Sequence, residues 1–479
     1  MNTTPGAPSR LRVPTALVLG LALALAAVLR VRESLRTPLW FDEIYIVAVA
    51  RQGLLDVVRT VARDIHPPLQ FLLRWAWIRI GGEGEQWVRS LSILLALLSL
   101  VWTWRLGRRL FGRFPALFAV ALLAIHPTHI RYSQEVEDYS LTWLLLLAAT
   151  ESAWNWIERR RLEDAFGYWI WGALALYAHY LSLFYLATLF VAELALQARR
   201  PGRPGAWLGI HAALGLAFLP QALVFVNQFQ REGSGAFFHF PTLAAVAELW
   251  RHMAFGATYL IVPLLALSLV PLFLPGQRRA ALLLWTLCVL PLLSPRLWVI
   301  ILPREVLYIL PLWLLLVGAG LARLPGRWTA PALAILLFAF GARAWSRHGP
   351  FTEAVSLQRA ERFVQVHGTP QDLVLHAESH SLLFFLYHDP GARNRLLLPR
   401  GERVPYFEGG LAIPESVYYS PEDWARDRAA GARWWGVRVD RAYVTRGRVS
   451  RAGERGAAML QAASDSSWSW PPVTLYRGR

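Results

Sequence analysis

Long apolar runs separated by short arginine clusters set the pattern of this 479-residue chain. The run from Val13 to Leu29 lies between Arg10, Arg12 and Arg30, Arg32, and is long enough to cross a bilayer core, which needs roughly 17–25 helical residues. An Ala-rich run near the start also fits a cleaved leader. This run exceeds the usual apolar segment of a leader and no clear cleavage site follows it, so a retained anchor is expected. The next strong run, Leu91 to Trp104, leads into Arg105, Arg108, Arg109 and Arg113, which the positive-inside bias places in the cytoplasm. With the N-terminus also cytoplasmic, the stretch Pro67 to Ile80, broken by Arg74 and Arg79, is one crossing too many. It is expected to lie along the outer interface as an amphipathic helix within one external loop, residues 31–88.

The alternation continues through Leu117–Ile125, Leu141–Ile157, Trp169–Ala178, Leu183–Leu196, Trp207–Val226, Phe255–Leu274, Ala281–Leu293, Val306–Leu321 and Ala330–Ala344. About eleven crossings result, and every arginine cluster falls on one side. After Arg347 the composition turns mixed, with His348, Gly349 and Pro350 as a linker. Alternating residues at Asp372–Leu375 and Trp435–Val439, with the polar-faced stretch Ser356–Val366, predict a small α/β unit that parity places outside. The expected class is mainly α: a polytopic transmembrane helical module over 1–347, and a C-terminal α/β extramembrane domain over 348–479.

Composition agrees. The chain is 55% hydrophobic and only 17% charged, with a mean hydropathy of +0.34, which excludes an ordinary soluble domain. A net charge of +17 would suggest nucleic acid in a soluble protein; here the basic residues flank apolar runs and orient helices, so no nucleic-acid partner is expected. The single cysteine, Cys288, rules out an intrachain disulfide and a cysteine-based zinc site. No GxxxxGK[ST] loop and no repeat of 20–50 residues are present, which argues against a nucleotide-driven engine and an inverted-repeat transporter.

The topology gathers a polar set on the outer side: Trp40, Asp42, Glu43, His66, Arg131, Tyr132, Glu135, Tyr139, His179, Tyr180 and Arg304, with the Gly- and aromatic-rich loop Gln230–Phe240 as a candidate cover. Adjacent carboxylates at a hydrophobic boundary are costly unless hydrated or paired, which singles out Asp42 and Glu43. Taken in order, Trp-x-Asp-Glu, His-Pro-Pro-Leu, Arg89-Ser90, His-Pro-Thr-His-Ile-Arg-Tyr-Ser-Gln-Glu and His-Tyr resemble bacterial GT-C membrane glycosyltransferases. The resemblance is to the family-39-like, protein-mannosyltransferase and aminoarabinose-transferase related group, over about residues 35–320.

That resemblance implies an inverting transferase that takes a sugar, hexosyl or pentosyl, from a polyprenyl-phosphate carrier. Its acceptor, a glycan, lipid or protein, would be reached at the periplasmic face of a bacterial inner membrane. It implies Asp42 as catalytic base, with Glu43 as its catalytic neighbour. Trp40, His66, Arg131, Tyr132, Glu135, Tyr139, His179, Tyr180 and Arg304 are then expected to bind substrate. A leaving lipid phosphate calls for fixed cations, and Arg131 and Arg304 are the candidates. Relatives carry a basic residue where this chain has Glu137, followed by Asp138, and Arg131 is expected to compensate.

No cofactor is expected; a divalent metal near the donor phosphate would lack a firm ligand set. His126 and His129 are spaced for one metal, but a helix end with interfacial hydrogen bonds accounts for them. Most of the 23 tryptophans read as an interfacial belt, Trp40 excepted. The competing function is a transporter or flippase, which would concentrate ionisable residues at mid-bilayer rather than at one face. A membrane scaffold presenting the C-terminal domain leaves the ordered motifs unexplained.

Overall fold

The computed structural model describes residues 15–197, 204–232, 243–293, 307–325, 352–404, 409–440 and 451–478. In chain order the helices are α1 (Thr15–Ser34), α2 (Phe41–Ala50), α3 (Leu54–Ala62), α4 (Leu69–Gly81), α5 (Glu85–Leu110), α6 (Arg113–Ala124), α7 (Pro127–Tyr132), α8 (Tyr139–Arg159), α9 (Leu162–Ala178), α10 (Ser182–Gln197), α11 (Pro204–Glu232), α12 (Leu243–Met253), α13 (Ile261–Leu269), α14 (Arg278–Leu293) and α15 (Leu310–Leu321). The C-terminal unit adds α16 (Thr352–His367), β1 (Leu373–His376), α17 (Ser379–His388), β2 (Arg393–Leu397), β3 (Tyr418–Tyr419), α18 (Pro421–Ala429), β4 (Trp434–Val439), α19 (Arg451–Ala463), β5 (Ser466–Trp470) and β6 (Val473–Gly478).

The apolar pattern becomes a helical bundle with a lipid-facing exterior. On α1, Leu17, Leu21, Leu25 and Val28 form an exposed stripe at helical spacing; on α11, Leu208, Leu216, Leu219 and Leu223 are exposed. So much bare apolar surface is stable only against lipid, and the chain is a membrane protein. At the centre lies α15, whose residues are buried on every side, as expected of a helix apolar all round. Gly318 and Gly320 let its backbone approach Pro115 ahead of α6's middle and Leu267 on α13, where an added Cβ would collide with a carbonyl oxygen.

Each expected crossing within the described residues falls on helical segments, whereas Ala330–Ala344, the linker at 348–350 and Arg304 lie outside them. Among the described helices, Thr15–Arg32, Glu85–Leu110 and Gly205–Gln228 are each long and apolar enough to cross a membrane unaided. The expected crossing Phe255–Leu274 differs from a simple span. It is the second limb of a broken pair, Val246–Met253 and Thr258–Phe273, bent by 80°. The cause is local: Phe255 (φ 59°) and Gly256 (φ 73°) both adopt left-handed backbone and unwind the junction.

The C-terminal unit is a six-stranded sheet in the order β3-β2-β1-β4-β6-β5. The strands β3, β2, β1 and β4 run parallel, while β6 and β5 add an antiparallel edge. β1 is buried throughout and β4 nearly so, as a covered parallel sheet requires. The segment between α1 and α5 packs with this unit: Leu39, Ile44, Val47, Val57, Val61 and Phe71 share one hydrophobic core with Leu357, Leu382, Leu383 and Val437. A second core fills the space between the membrane helices. Helices α2 to α4 therefore lie between the bundle and the sheet.

Candidate active site

The site is built around the first turn of α2. Trp40 adopts extended backbone and caps the helix, and Glu43 reaches back to accept its N–H at 3.1 Å. This arrangement sets Asp42, half-buried, in the first turn, where the helix dipole favours a carboxylate. Trp40 and Phe41 pack against the core shared with the sheet.

Asp42 and Glu43 have sharply different surroundings. Glu43 is 0% exposed. Its carboxylate accepts two bonds from Arg89, Nε at 3.1 Å and Nη2 at 2.6 Å, one from the Val136 N–H at 2.9 Å, and the Trp40 bond. Arg89, at the start of α5, also donates to the carbonyls of Ser34, Thr37 and Pro38. One ion pair thus ties α2, the end of α1, the head of α5 and the segment after α7.

Arg74 on α4 is buried and donates to the Val88 carbonyl and to Ser92 Oγ, which itself donates to the Glu135 carbonyl at 2.6 Å. Its charge bears on both Glu43 and Glu137. Arg131 lies 3.5 Å from Glu135 and over the Tyr132 ring. Arg74 and His66 both feel the Glu137 charge, and Arg131 lies along its own helix beside Glu135. Tyr132 and Tyr139 meet edge to face, with centroids 5.1 Å apart.

His66 lies 3.2 Å from Asp64, whose side chain is 4% exposed against 38% for the imidazole. Burial alone would lower its pKa, but Asp64, supported by Glu137 and Asp138, outweighs this and pushes it up to about 10. The imidazole is thus held as a cation at neutral pH. The turn after α9 is clipped in from the other side: Tyr180 Oη donates to Gln228 and accepts from Gln221 at 2.7 Å, while Gln228 Nε2 donates to the Val61 carbonyl at 3.0 Å. His179 Nδ1 accepts the Leu181 N–H, which closes that turn locally.

The structure therefore brings together Trp40, Asp42, Glu43, His66, Glu135 and the Arg131–Tyr139 segment, with Tyr180 joined through Gln228. Arg304 and the loop from Gly233 onward lie outside the described residues. Sequence reasoning missed Asp64, Arg74, Gln221 and Gln228, and read Arg89 only as a helix start. The signals were faint: an acidic residue two before His66, and arginines set in apolar helices, which are rarely idle. His126 and His129 do sit at a helix end: His126 caps α7 and bonds the Met253 carbonyl, while His129 bonds Arg30 at 2.7 Å and stacks on Trp143. Among the described residues no group of three or more His, Cys, Asp or Glu is arranged to hold a metal ion.

Comparison with known proteins adds the fold. Residues 65–223 match the family model of dolichyl-phosphate-mannose-protein mannosyltransferase. Among solved structures, ArnT from Cupriavidus metallidurans bound to undecaprenyl phosphate is similar at a TM-score of 0.62 and 14% identity, over 97% of this chain and 98% of that one. Its apo state gives 0.59 and 14% over 96% and 97%. The Archaeoglobus fulgidus oligosaccharyltransferase tethered with an acceptor peptide gives 0.51 and 12% over 89% and 69%. No curated protein matches in sequence.

Proposed function

We propose that this chain, which has the GT-C glycosyltransferase fold and matches the mannosyltransferase family model over residues 65–223, transfers a sugar from a polyprenyl-phosphate carrier to an acceptor hydroxyl. The observation that carries the reading is the first turn of α2. A half-buried carboxylate, Asp42, stands there beside a structural one, at the junction between lipid-facing helices and a polar cluster.

Asp42 serves as the base: the acceptor oxygen attacks the anomeric carbon, its proton passes to the Asp42 carboxylate, and the C1–O bond to the lipid phosphate breaks with its electron pair leaving on the phosphate. A single displacement of this kind inverts the anomeric centre. Glu43 receives a positioning role in place of the catalytic one expected from its neighbourhood, because its oxygens are taken by Arg89, Trp40 and Val136. Charge developing on the leaving phosphate is met by His66, held cationic by Asp64, and by Arg131; the proposal assigns no metal. The site faces the periplasm by the arginine bias, with the C-terminal unit on the same side.

The test is a transfer assay in lipid nanodiscs with labelled polyprenyl-phosphate sugars, comparing the wild type with Asp42→Asn. Loss of a general base is expected to lower turnover by about 10²–10⁴-fold with carrier binding retained. Equal turnover by the variant removes Asp42 as base.

A further inference from the structure

The C-terminal unit reaches the base's own helix turn. The ring of His380, in the first turn of α17, lies flat on Phe41, the residue before Asp42, with centroids 3.8 Å apart and planes 7° apart. His380 is itself held: its Nδ1 is 2.9 Å from Glu353 Oε1 on α16, and the two side chains are only 11% and 16% exposed. Gly409, with φ +81°, comes so close that a Cβ there would meet both Phe41 and Leu383 at 2.9 Å. Further along, Tyr387 donates to the Glu83 carbonyl and lies under Arg51, and His388 lies 3.5 Å from Glu85.

These contacts have a mechanical meaning. At ten residues α2 is too short to hold itself in place, so packing decides where its first turn sits. Residue 43 is fixed from the membrane side by Arg89, and residue 41 from the other side by a flat, partly buried ring contact. Asp42 lies between the two clamps. A base must be held to a fraction of an ångström to be effective, and rotation of one turn by a missing clamp is enough to misplace it.

We infer that His380 is a positioning residue for Asp42, secured by Glu353, so that the C-terminal unit is a working part of the catalytic centre. This rests on the reading of Asp42 as base. The test uses the full chain in nanodiscs with His380→Ala, His380→Phe and Glu353→Gln, read by steady-state kinetics and by amide hydrogen exchange at residues 40–46.

His380→Ala is expected to lower kcat by about 10–100-fold while KM for the carrier-linked sugar moves less than about threefold, and to speed exchange in the first turn of α2. His380→Phe keeps the stacked ring and restores most of kcat and of the protection. Glu353→Gln, which keeps a hydrogen-bonding oxygen, gives a smaller loss of the same kind and serves if the alanine variant does not fold. Wild-type kcat and exchange in His380→Ala overturn the inference, as does a folded His380→Phe no better than alanine. A wild type with no turnover on any carrier sinks the function instead, and the exchange comparison still decides whether His380 fixes the turn.

Discussion

Replacing Arg89 by leucine tests how the site is held. The substitution removes both guanidinium bonds from a carboxylate with no access to water, and leaves Glu43 with only the N–H groups of Trp40 and Val136. Breaking a buried pair by deleting one partner typically costs about 3–5 kcal/mol, and two surviving amide donors place this case near the lower end, about 3 kcal/mol. Glu43→Gln should cost less. Its amide oxygen still accepts from a backbone N–H, and Arg89 keeps the carbonyls of Ser34, Thr37 and Pro38. With both changes the orphaned charges disappear together, so the double variant should fall short of the sum by about 2 kcal/mol. Unfolding by a denaturing detergent in mixed micelles measures all three. A loss below about 1 kcal/mol for Arg89→Leu, or strictly additive single changes, would refute the buried-pair account. Turnover should fall in step with the loss of the pair, since the same carboxylate caps the helix that carries Asp42.

The remaining predictions concern charge and packing. His66 has a folded-state pKa near 10, above its ordinary value of about 6.5, so the stability its charge provides is fully present below about pH 6.5 and is lost as pH rises through about 10. In Asp64→Asn the imidazole should titrate near neutrality, and KM for the carrier-linked sugar should climb between about pH 7 and 9 where the wild type stays level; parallel profiles would remove His66 as a phosphate-facing cation. Gly320→Ala places a methyl group against the Leu267 carbonyl and should destabilise the bundle by about 1–3 kcal/mol in the same unfolding assay, whereas Gly209→Ala, which meets nothing, should be neutral or slightly stabilising.

Legibility differed from residue to residue. The lipid-facing stripes on α1 and α11 were readable because hydropathy is a local property. The bend before α13 was not readable: Phe255 carries no mark of left-handed backbone in its residue type, yet it adopts φ 59° at a buried position. Asp42 and Glu43 looked alike as neighbours in a polar tetrapeptide. They separate only when the helix turns one of them toward Arg89.

The sequence by itself thus determined that the chain lives in a membrane and which apolar runs become its helices, both features of neighbouring residues. Tertiary structure alone decided that the segment between α1 and α5 shares its core with the C-terminal sheet, that Arg89 pairs with Glu43, and that His380 lies on Phe41. These are pairings across tens to hundreds of residues. No local pattern encodes them, because a contact's energy depends on which surfaces the whole fold brings within a few ångströms.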